Sequence, residues 1–153
     1  MYTLQIDIAT GDSLLYVADG EEGLQVFSAS DPTGPIIIGH VSTIHYTNAV
    51  DHRGEYAYIG DWDGGLRIIS VADPANPEQA GMYDTPGYVR DIDVSGSYVC
   101  VADDKEGFKV ISIVSVSDPG NPVEVGFIEL SEGSSIYGMV IDHSYAYSTW
   151  SYK

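Results

Sequence analysis

The segment from Tyr46 to Gly81, YTNAVDHRGEYAYIGDWDGGLRIISVADPANPEQAG, indicates a repeat protein, because its pattern occurs both before it and after it. A glycine that leads an apolar run recurs every 42 residues, at Gly23, Gly65 and Gly107. Internal repeats at this period are typical of solenoids, propellers and other repeat arrays.

Each unit contains four short apolar runs, which in the central copy cover 47–52, 55–60, 66–71 and 77–83. They are rich in Val, Ile and Tyr and are bounded by Gly, Asp, Asn and Pro, which is typical of strands. No segment keeps a 3.6-residue apolar period, so essentially no helix is expected. The sequence therefore predicts an all-β fold, a β-propeller with blades of four antiparallel strands and about three and a half blades.

A turn of the form Asp-Pro-x-(Gly/Asn)-Pro joins the third and fourth runs of each unit. The three copies begin at Asp31, Asp73 and Asp118. The aspartate can accept backbone N–H groups, and the first proline presets φ for the turn. The second proline opens the fourth strand and cannot donate to a neighbour, so we expect the fourth strand to be the outer edge of each blade.

The repeat predicts a single propeller domain, or a fragment of one, over residues 1–153. The expected blades cover about 2–43, 46–85 and 88–131, with a partial fourth blade at 136–153. Propellers close with about four to eight blades. An open arc would leave two apolar sheet faces uncovered, so we expect a partner, either another copy or the missing remainder of a propeller. Two copies of three and a half blades would make seven.

The units resemble the LVIVD repeat, a propeller-blade repeat of bacterial and archaeal surface proteins. The resemblance is carried by Tyr56-Ala-Tyr-Ile, by Gly65-Leu-Arg-Ile-Ile and by Asp73-Pro-Ala-Asn-Pro, with copies in the flanking units. The sequence departs from the repeat where that family usually has an aspartate closing its Val-Asp step: Ser28, Ser70 and Ser112 stand there. The resemblance implies a propeller at the cell surface or outside the cell, and it supplies no catalytic residues.

The composition is strongly acidic, with 23 acidic and 6 basic residues and a net charge of −17. Nucleic acid is therefore excluded as an expected partner, because phosphate binding needs clustered Lys and Arg. No apolar run is long enough to insert in a membrane. The start has no signal-peptide pattern, and the low lysine content with much Tyr, Gly and Ser favours an extracellular or cell-surface location. Cys100 is the only cysteine and is expected to be a buried apolar residue.

Acidic connections between the second and third strands are the first candidate site. In an up-and-down blade they lie on the same face as the segment that enters the first strand. Calcium prefers several oxygen ligands, so these loops are a candidate calcium site, although no cofactor is required by the sequence. The candidate metal ligands are Asp19, Glu21, Asp61, Asp63, Asp103 and Asp104. The alternative is that Asp and Gly serve only the turn conformation.

Aromatic residues are the second candidate site. A tyrosine begins the first strand of every unit, at Tyr2, Tyr46, Tyr88 and Tyr137. Trp62 lies in the acidic loop of the second unit and has no counterpart in the others. Flat rings with a hydroxyl or N–H group suit a carbohydrate or peptide ligand. The alternative is that the tyrosines pack between neighbouring blades.

Aspartates also end each run of the form Tyr-x-x-x-(Ile/Val)-Asp, at Asp7, Asp51, Asp93 and Asp142. They are expected to accept backbone N–H groups or to face water in a channel. Arg67, Lys105 and Lys109 are expected to be solvated partners of nearby acids.

These observations favour a non-enzymatic propeller for recognition or assembly. No nucleophile elbow, zinc-protease motif or phosphate loop is present, and no catalytic residue is predicted. Two alternatives stay open. One is a carboxylate-based hydrolase with its active site at the channel mouth, where only Trp62 and Arg90 depart from the repeat. The other is a purely structural, self-assembling repeat module.

Overall fold

Strands make up nearly all the regular structure of the computed structural model, which describes residues 7–11, 13–105, 108–130, 134–142 and 145–152. The strands are β1 (Asp7–Gly11), β2 (Leu14–Ala18), β3 (Leu24–Ser28), β4 (Ile36–Val41), β5 (Ala49–Arg53), β6 (Tyr56–Gly60), β7 (Leu66–Ser70), β8 (Glu78–Tyr83), β9 (Tyr88–Ser95), β10 (Tyr98–Lys105), β11 (Phe108–Ser115), β12 (Val123–Leu130), β13 (Ser134–Asp142) and β14 (Tyr145–Tyr152). A single 3₁₀ turn at Trp62–Gly64 is the only helical element among the described residues. The all-β prediction is confirmed.

Three sheets have four antiparallel strands in sequence order, β1–β4, β5–β8 and β9–β12, and β13 pairs with β14 in a two-stranded sheet. We call the first three sheets blades 1, 2 and 3, and the fourth the terminal hairpin. Each strand that follows the second proline of the turn, β4, β8 or β12, is at the edge of its sheet. The expected position of these strands is confirmed, because proline at a strand start leaves no N–H for a further neighbour.

The blades stack face to face, and blade 2 is apolar on both faces. Successive side chains of a strand point to opposite faces of the sheet. Ala57 and Ile59 of β6 accordingly pack toward blade 1, where they meet the buried Tyr16 and Leu24. Tyr58, between them in sequence, packs toward blade 3. A strand in a sheet with two buried faces has apolar residues at successive positions, which explains the sequence Tyr56-Ala-Tyr-Ile of β6.

Two main apolar interfaces hold the stack together. The interface between blades 1 and 2 is formed by Tyr16, Ala18, Leu24, Val26, Val50, Ala57, Ile59, Ile69 and Val71. The interface between blades 2 and 3 is formed by Ala49, Tyr58, Leu66, Ile68, Val89, Ile92, Val99, Val101, Val114 and Val116. A smaller cluster of Cys100, Ala102, Ile136 and Met139 joins blade 3 to the terminal hairpin. Cys100 is buried and free, as expected from the sequence.

The outer rim of the stack is held by a turn that fits against a glycine. A Cβ atom at Gly39 of β4 would overlap the Pro74 carbonyl oxygen, which belongs to the Asp-Pro turn of blade 2. One blade further on, a Cβ at Gly81 of β8 would overlap the Pro119 carbonyl oxygen. Glycine is therefore needed on the edge strand because the turn of the next blade lies directly against its backbone.

None of the helical structure in the described part of the chain has the length and apolar character needed to cross a membrane.

Replacing Gly81 by alanine should destabilise the protein by about 1–3 kcal/mol, because the added methyl group would displace the turn of blade 3. The free energy of unfolding in urea would measure this change. Gly34→Ala is the matched control, since a Cβ there meets nothing within 4 Å. Equal stability of the two variants would show that the Asp-Pro turn does not hold the blades in place.

Candidate functional site

Two loops between second and third strands (residues 19–23 and 61–65), the end of β10 (residues 103–105) and the entry segments 42–48 and 84–88 lie on one face of the stack, which we call the loop face. Backbone hydrogen bonds join Gly20 of the first loop to Thr47 at the entry of blade 2, with N···O distances of 2.9 and 3.0 Å. The Gly87 N–H likewise donates to the carboxylate of Asp103 at 3.0 Å. The loops and the entry segments therefore share a face.

The first aspartate of each loop anchors the loop. Asp19 accepts a hydrogen bond from the Gln25 amide at 2.7 Å. Asp61 pairs with Arg67 at 3.3 Å, and Asp61 and Asp103 are both fully buried. Because buried carboxylates need hydrogen-bonding partners, these three residues serve the loop conformation first.

Arg67 is buried, which corrects the expectation that it would be solvated. Its guanidinium lies between the Asp61 carboxylate and the Met82 sulfur, to which it donates at 3.1 Å. Burial raises the pKa of Asp61, and the Thr43 hydroxyl, the Arg67 guanidinium and His45 oppose part of that rise. The aliphatic stem of arginine suits a position that its charge alone would exclude. Lys105 and Lys109 have side chains outside the described residues.

Trp62 is held in a backbone conformation that usually belongs to glycine. Its φ is +47°, and Gly20, at the same place in the loop of blade 1, has φ +55°. The left-handed region costs a residue with a side chain roughly 1–2 kcal/mol. Strained residues of this kind are concentrated at functional sites, so the strain at Trp62 indicates a role for its side chain.

Three aromatic side chains meet around this position, and we call Tyr46, Trp62, Tyr88 and Arg90 the aromatic cluster. The Trp62 and Tyr88 rings are tilted, with centroids 5.3 Å apart, and Tyr46 meets Trp62 edge-on at 6.5 Å. The Arg90 guanidinium carbon lies 4.5 Å from the centroid of the Trp62 ring, within the range of a cation–π interaction. Tyr88 is exposed, and Trp62 and Tyr46 are partly buried.

Charged pairs surround the aromatic cluster. Arg90 forms an ion pair with Asp104 at 3.1 Å, which fixes the guanidinium over the indole. His45 Nδ1 lies 2.7 Å from a carboxylate oxygen of Asp63, and that aspartate is half exposed. The loop face therefore presents carboxylates beside flat aromatic rings.

The structure brings together three of the five residues predicted to bind a ligand: Tyr46, Trp62 and Tyr88. Tyr2 lies outside the described residues, and Tyr137 lies in β13 with a side chain outside the described set. The alternative, that the tyrosines pack between neighbouring blades, also holds for Tyr46. Its ring lies against Gly20 of blade 1, where a Cβ atom would be 2.8 Å from the ring. Tyr46 and Tyr88 thus each contact the loop of the preceding blade, at Gly20 and at Trp62, while they border the cluster.

The candidate metal ligands are distributed singly. Asp19, Asp61 and Asp103 are anchors of their loops, Asp63 pairs with His45, Asp104 pairs with Arg90, and Glu21 is exposed. Within the part of the chain that the structure describes, no three acidic, histidine or cysteine residues are grouped to hold a metal ion. Calcium binding stays a prediction.

Arg90 stands out in the sequence only as a departure from the repeat, with no role that its position alone would assign. The signal was the position itself, because the equivalent residue of blade 2 is Asn48, whose amide donates to the Val89 carbonyl at 3.0 Å. His45 and Arg67 were not assigned to the loop face either. Their partners, Asp63 and Asp61, became visible only when the loop folded back on the entry segment.

The inner-strand aspartates join neighbouring blades. Asp51 of blade 2 accepts the Val94 N–H of blade 3 at 2.8 Å. Asp93 of blade 3 accepts the Ile141 N–H of the terminal hairpin. The prediction that these aspartates accept backbone N–H groups is confirmed for both residues.

Sheets of four antiparallel strands, stacked face to face in chain order, define a β-propeller-type repeat protein. The family model described as the LVIVD repeat matches three consecutive segments, residues 7–43, 46–85 and 86–129. The chain belongs to the LVIVD repeat family, and the resemblance seen in the sequence is confirmed.

A similar solved structure is the crystal structure of the computationally designed Ika4 protein. It matches with a TM-score of 0.72 at 10% sequence identity, over 99% of this chain and 91% of that chain. At this identity the similarity shows the fold alone. No curated protein sequence matches this chain.

Asp61→Ala should destabilise the protein by about 3–5 kcal/mol, because it leaves the buried Arg67 guanidinium without its partner. Asp63→Ala removes a carboxylate of the same loop that is half exposed, so its effect should stay below about 1 kcal/mol. Chemical denaturation of both variants would measure the difference. Similar values for the two would contradict the anchoring role of Asp61.

Burial raises the pKa of Asp51, and the nearby Asp93 carboxyl raises it further, while the Val94 and His52 N–H groups lower it. A raised pKa means that the folded protein holds this proton more tightly than the unfolded chain. The stability from Asp51 is therefore present at acidic pH and is lost as the pH rises past the ordinary aspartate value.

We expect Asp93→Asn to lower the pKa of Asp51, as measured by carboxyl-carbon NMR titration. Asp31→Asn, in an exposed turn, should leave that pKa unchanged, and an unchanged Asp51 pKa in Asp93→Asn would contradict the interaction.

Proposed function

We propose that this chain is a non-enzymatic recognition module, extracellular or on the cell surface, which binds a carbohydrate or a peptide on its loop face. The observation that carries the proposal is Trp62, a large aromatic residue in a position where blade 1 has a glycine. Trp62 adopts a strained backbone conformation, and its indole ring lies on the loop face. Packing alone would be served by a glycine at this position, as in blade 1, without the cost of a side chain in the left-handed region.

The chemistry of the aromatic cluster supports this ligand class. The Tyr88 and Trp62 rings offer flat apolar surfaces for the C–H face of a sugar or for an apolar side chain. Asp63 and Asp104 beside them accept hydrogen bonds from hydroxyl, amide or ammonium groups. A net charge of −17 disfavours acidic ligands, so the ligand is neutral or cationic.

Composition supports the extracellular or surface setting. The chain has 6 Lys and Arg residues together and 12 Tyr residues, and its family resemblance points to surface proteins. The loop face gives a hydrolase less support. Asp61 has a raised pKa but is fully buried, so it cannot touch a substrate. An active site on this face would have to use the Asp63–His45 pair.

Arrays of neutral and acidic oligosaccharides and of basic and acidic peptides would test the proposal with the folded protein. We expect binding to neutral oligosaccharides or basic peptides, and Trp62→Gly should weaken it by about tenfold or more, or about 1.4 kcal/mol. Trp62→Gly should still fold, because it restores the residue that blade 1 has at this position.

Tyr98→Ala is the matched control, since Tyr98 is an exposed tyrosine beside the β9–β10 turn, away from the loop face. It should bind as tightly as the parent protein. The proposal fails if neither array shows binding, or if the binding is unchanged in both Trp62→Gly and Tyr88→Ala.

A further inference from the structure

Each blade has two apolar faces with distinct residue sets. The face turned to the preceding blade, here called the leading face, has in blade 2 the residues Val50, Ala57, Ile59, Ile69 and Val71. The face turned to the next blade, the trailing face, has in blade 1 the residues Tyr16, Ala18, Leu24 and Val26. Every internal interface joins a trailing face to a leading face.

Blade 1 is the first sheet of the stack, and its leading face has no preceding blade among the described residues. Leu15, Val17 and Phe27 stand 42 residues before Ala57, Ile59 and Ile69 and occupy the same places in the sheet. Ile8 pairs with Val17 as Val50 pairs with Ile59. Its side chain is 54% exposed, whereas Val50 is buried. This end therefore has the apolar residues of an interface without the blade that would bury them.

The terminal hairpin ends the stack with a trailing face. In its register, Tyr147 pairs with Val140 as Cys100 pairs with Asp93 and as Tyr58 pairs with Asp51. The exposed fractions at this repeated position are 2% for Tyr16, 4% for Tyr58, 9% for Cys100 and 56% for Tyr147. The side chain at this position is thus buried wherever a next blade exists, and it is exposed in the hairpin, where the described chain ends.

We propose that the two ends bind each other between copies: the trailing face of one copy, at Tyr147 and Val140, packs on the leading face of a second copy. The internal interface shows what the contact would look like. Tyr16 stacks on His52 of the next blade, with ring centroids 4.3 Å apart and planes at 15°. In the contact between copies, Tyr147 takes the place of Tyr16, and Thr10 takes the place of His52.

A second copy fits because its exposed face continues an interface that the chain already makes three times, between blades 1 and 2, between blades 2 and 3, and between blade 3 and the terminal hairpin. The contact is heterologous, and in a two-copy ring each copy contributes both ends, so the proposed dimer has two equal contacts. Each copy has a charge of −17, and this repulsion opposes association. Association should therefore strengthen in about 1 M salt, where the Debye length falls to about 3 Å.

Analytical ultracentrifugation of the whole chain would test the proposal. We expect a dimer at high micromolar concentration and a lower dissociation constant in high salt. Ile8→Glu and Tyr147→Glu should each sediment as monomers with unchanged circular dichroism. Ile44→Glu is the matched control, because Ile44 is 83% exposed in a loop and the charge change is the same. It should stay dimeric.

Mixing the two monomeric variants is the decisive measurement. In a mixture, the intact trailing face of Ile8→Glu can bind the intact leading face of Tyr147→Glu, and one of the two contacts is restored. We expect a one-to-one dimer that is weaker than the parent dimer. A parent protein that is monomeric in high salt, an assembly that grows without limit as concentration rises, or a mixture that stays monomeric would each overturn the proposal.

Discussion

The structure depends on the burial of both faces of each four-stranded sheet against its neighbours. A sheet of this width with apolar side chains on both sides cannot be stable alone in water, because its apolar surface would stay solvated. Blade 2 meets the requirement fully, with Tyr58 packed toward blade 3 and Ile59 toward blade 1. The strands of this sheet are therefore apolar at successive positions, and the repeat period follows from the need to supply one such sheet after another.

Polar and backbone contacts between neighbouring blades set the relative position of the sheets in this apolar stack. At the outer rim, the Asp-Pro turn of one blade lies against the glycine of the preceding edge strand, as at Gly81. At the inner strands, carboxylates such as Asp51 accept a backbone N–H of the next blade. Apolar packing alone tolerates sliding, whereas hydrogen bonds and close backbone contacts have one favourable geometry. The Asp51 and Asp93 carboxyls approach each other because each sits at the same place in its blade.

The loop face shows how a repeat can keep its scaffold and vary its chemistry. The first aspartate at this place in each blade stabilises the local chain conformation, with a different partner in each blade: Gln25, Arg67 and the Gly87 N–H. The next position is structurally permissive, and there the blades differ. Blade 1 has Gly20 and blade 2 has Trp62 with nearly the same positive φ. Blades 1 and 2 therefore present different side chains on nearly the same backbone conformation at this position.

Local turn chemistry and residue spacing are enough to predict the strand content, the edge position of the strands that follow the second proline, the blade period and the family. They also predict that Tyr46, Trp62 and Tyr88 share one face. The burial of Arg67 and the position of Arg90 over the Trp62 ring are seen only in the folded protein. Those contacts join residues of different strands and blades, so their energies depend on distances that no repeat period encodes. The exposure of Tyr147 is likewise a property of what stands beside it, since the same position is buried in every blade that has a neighbour.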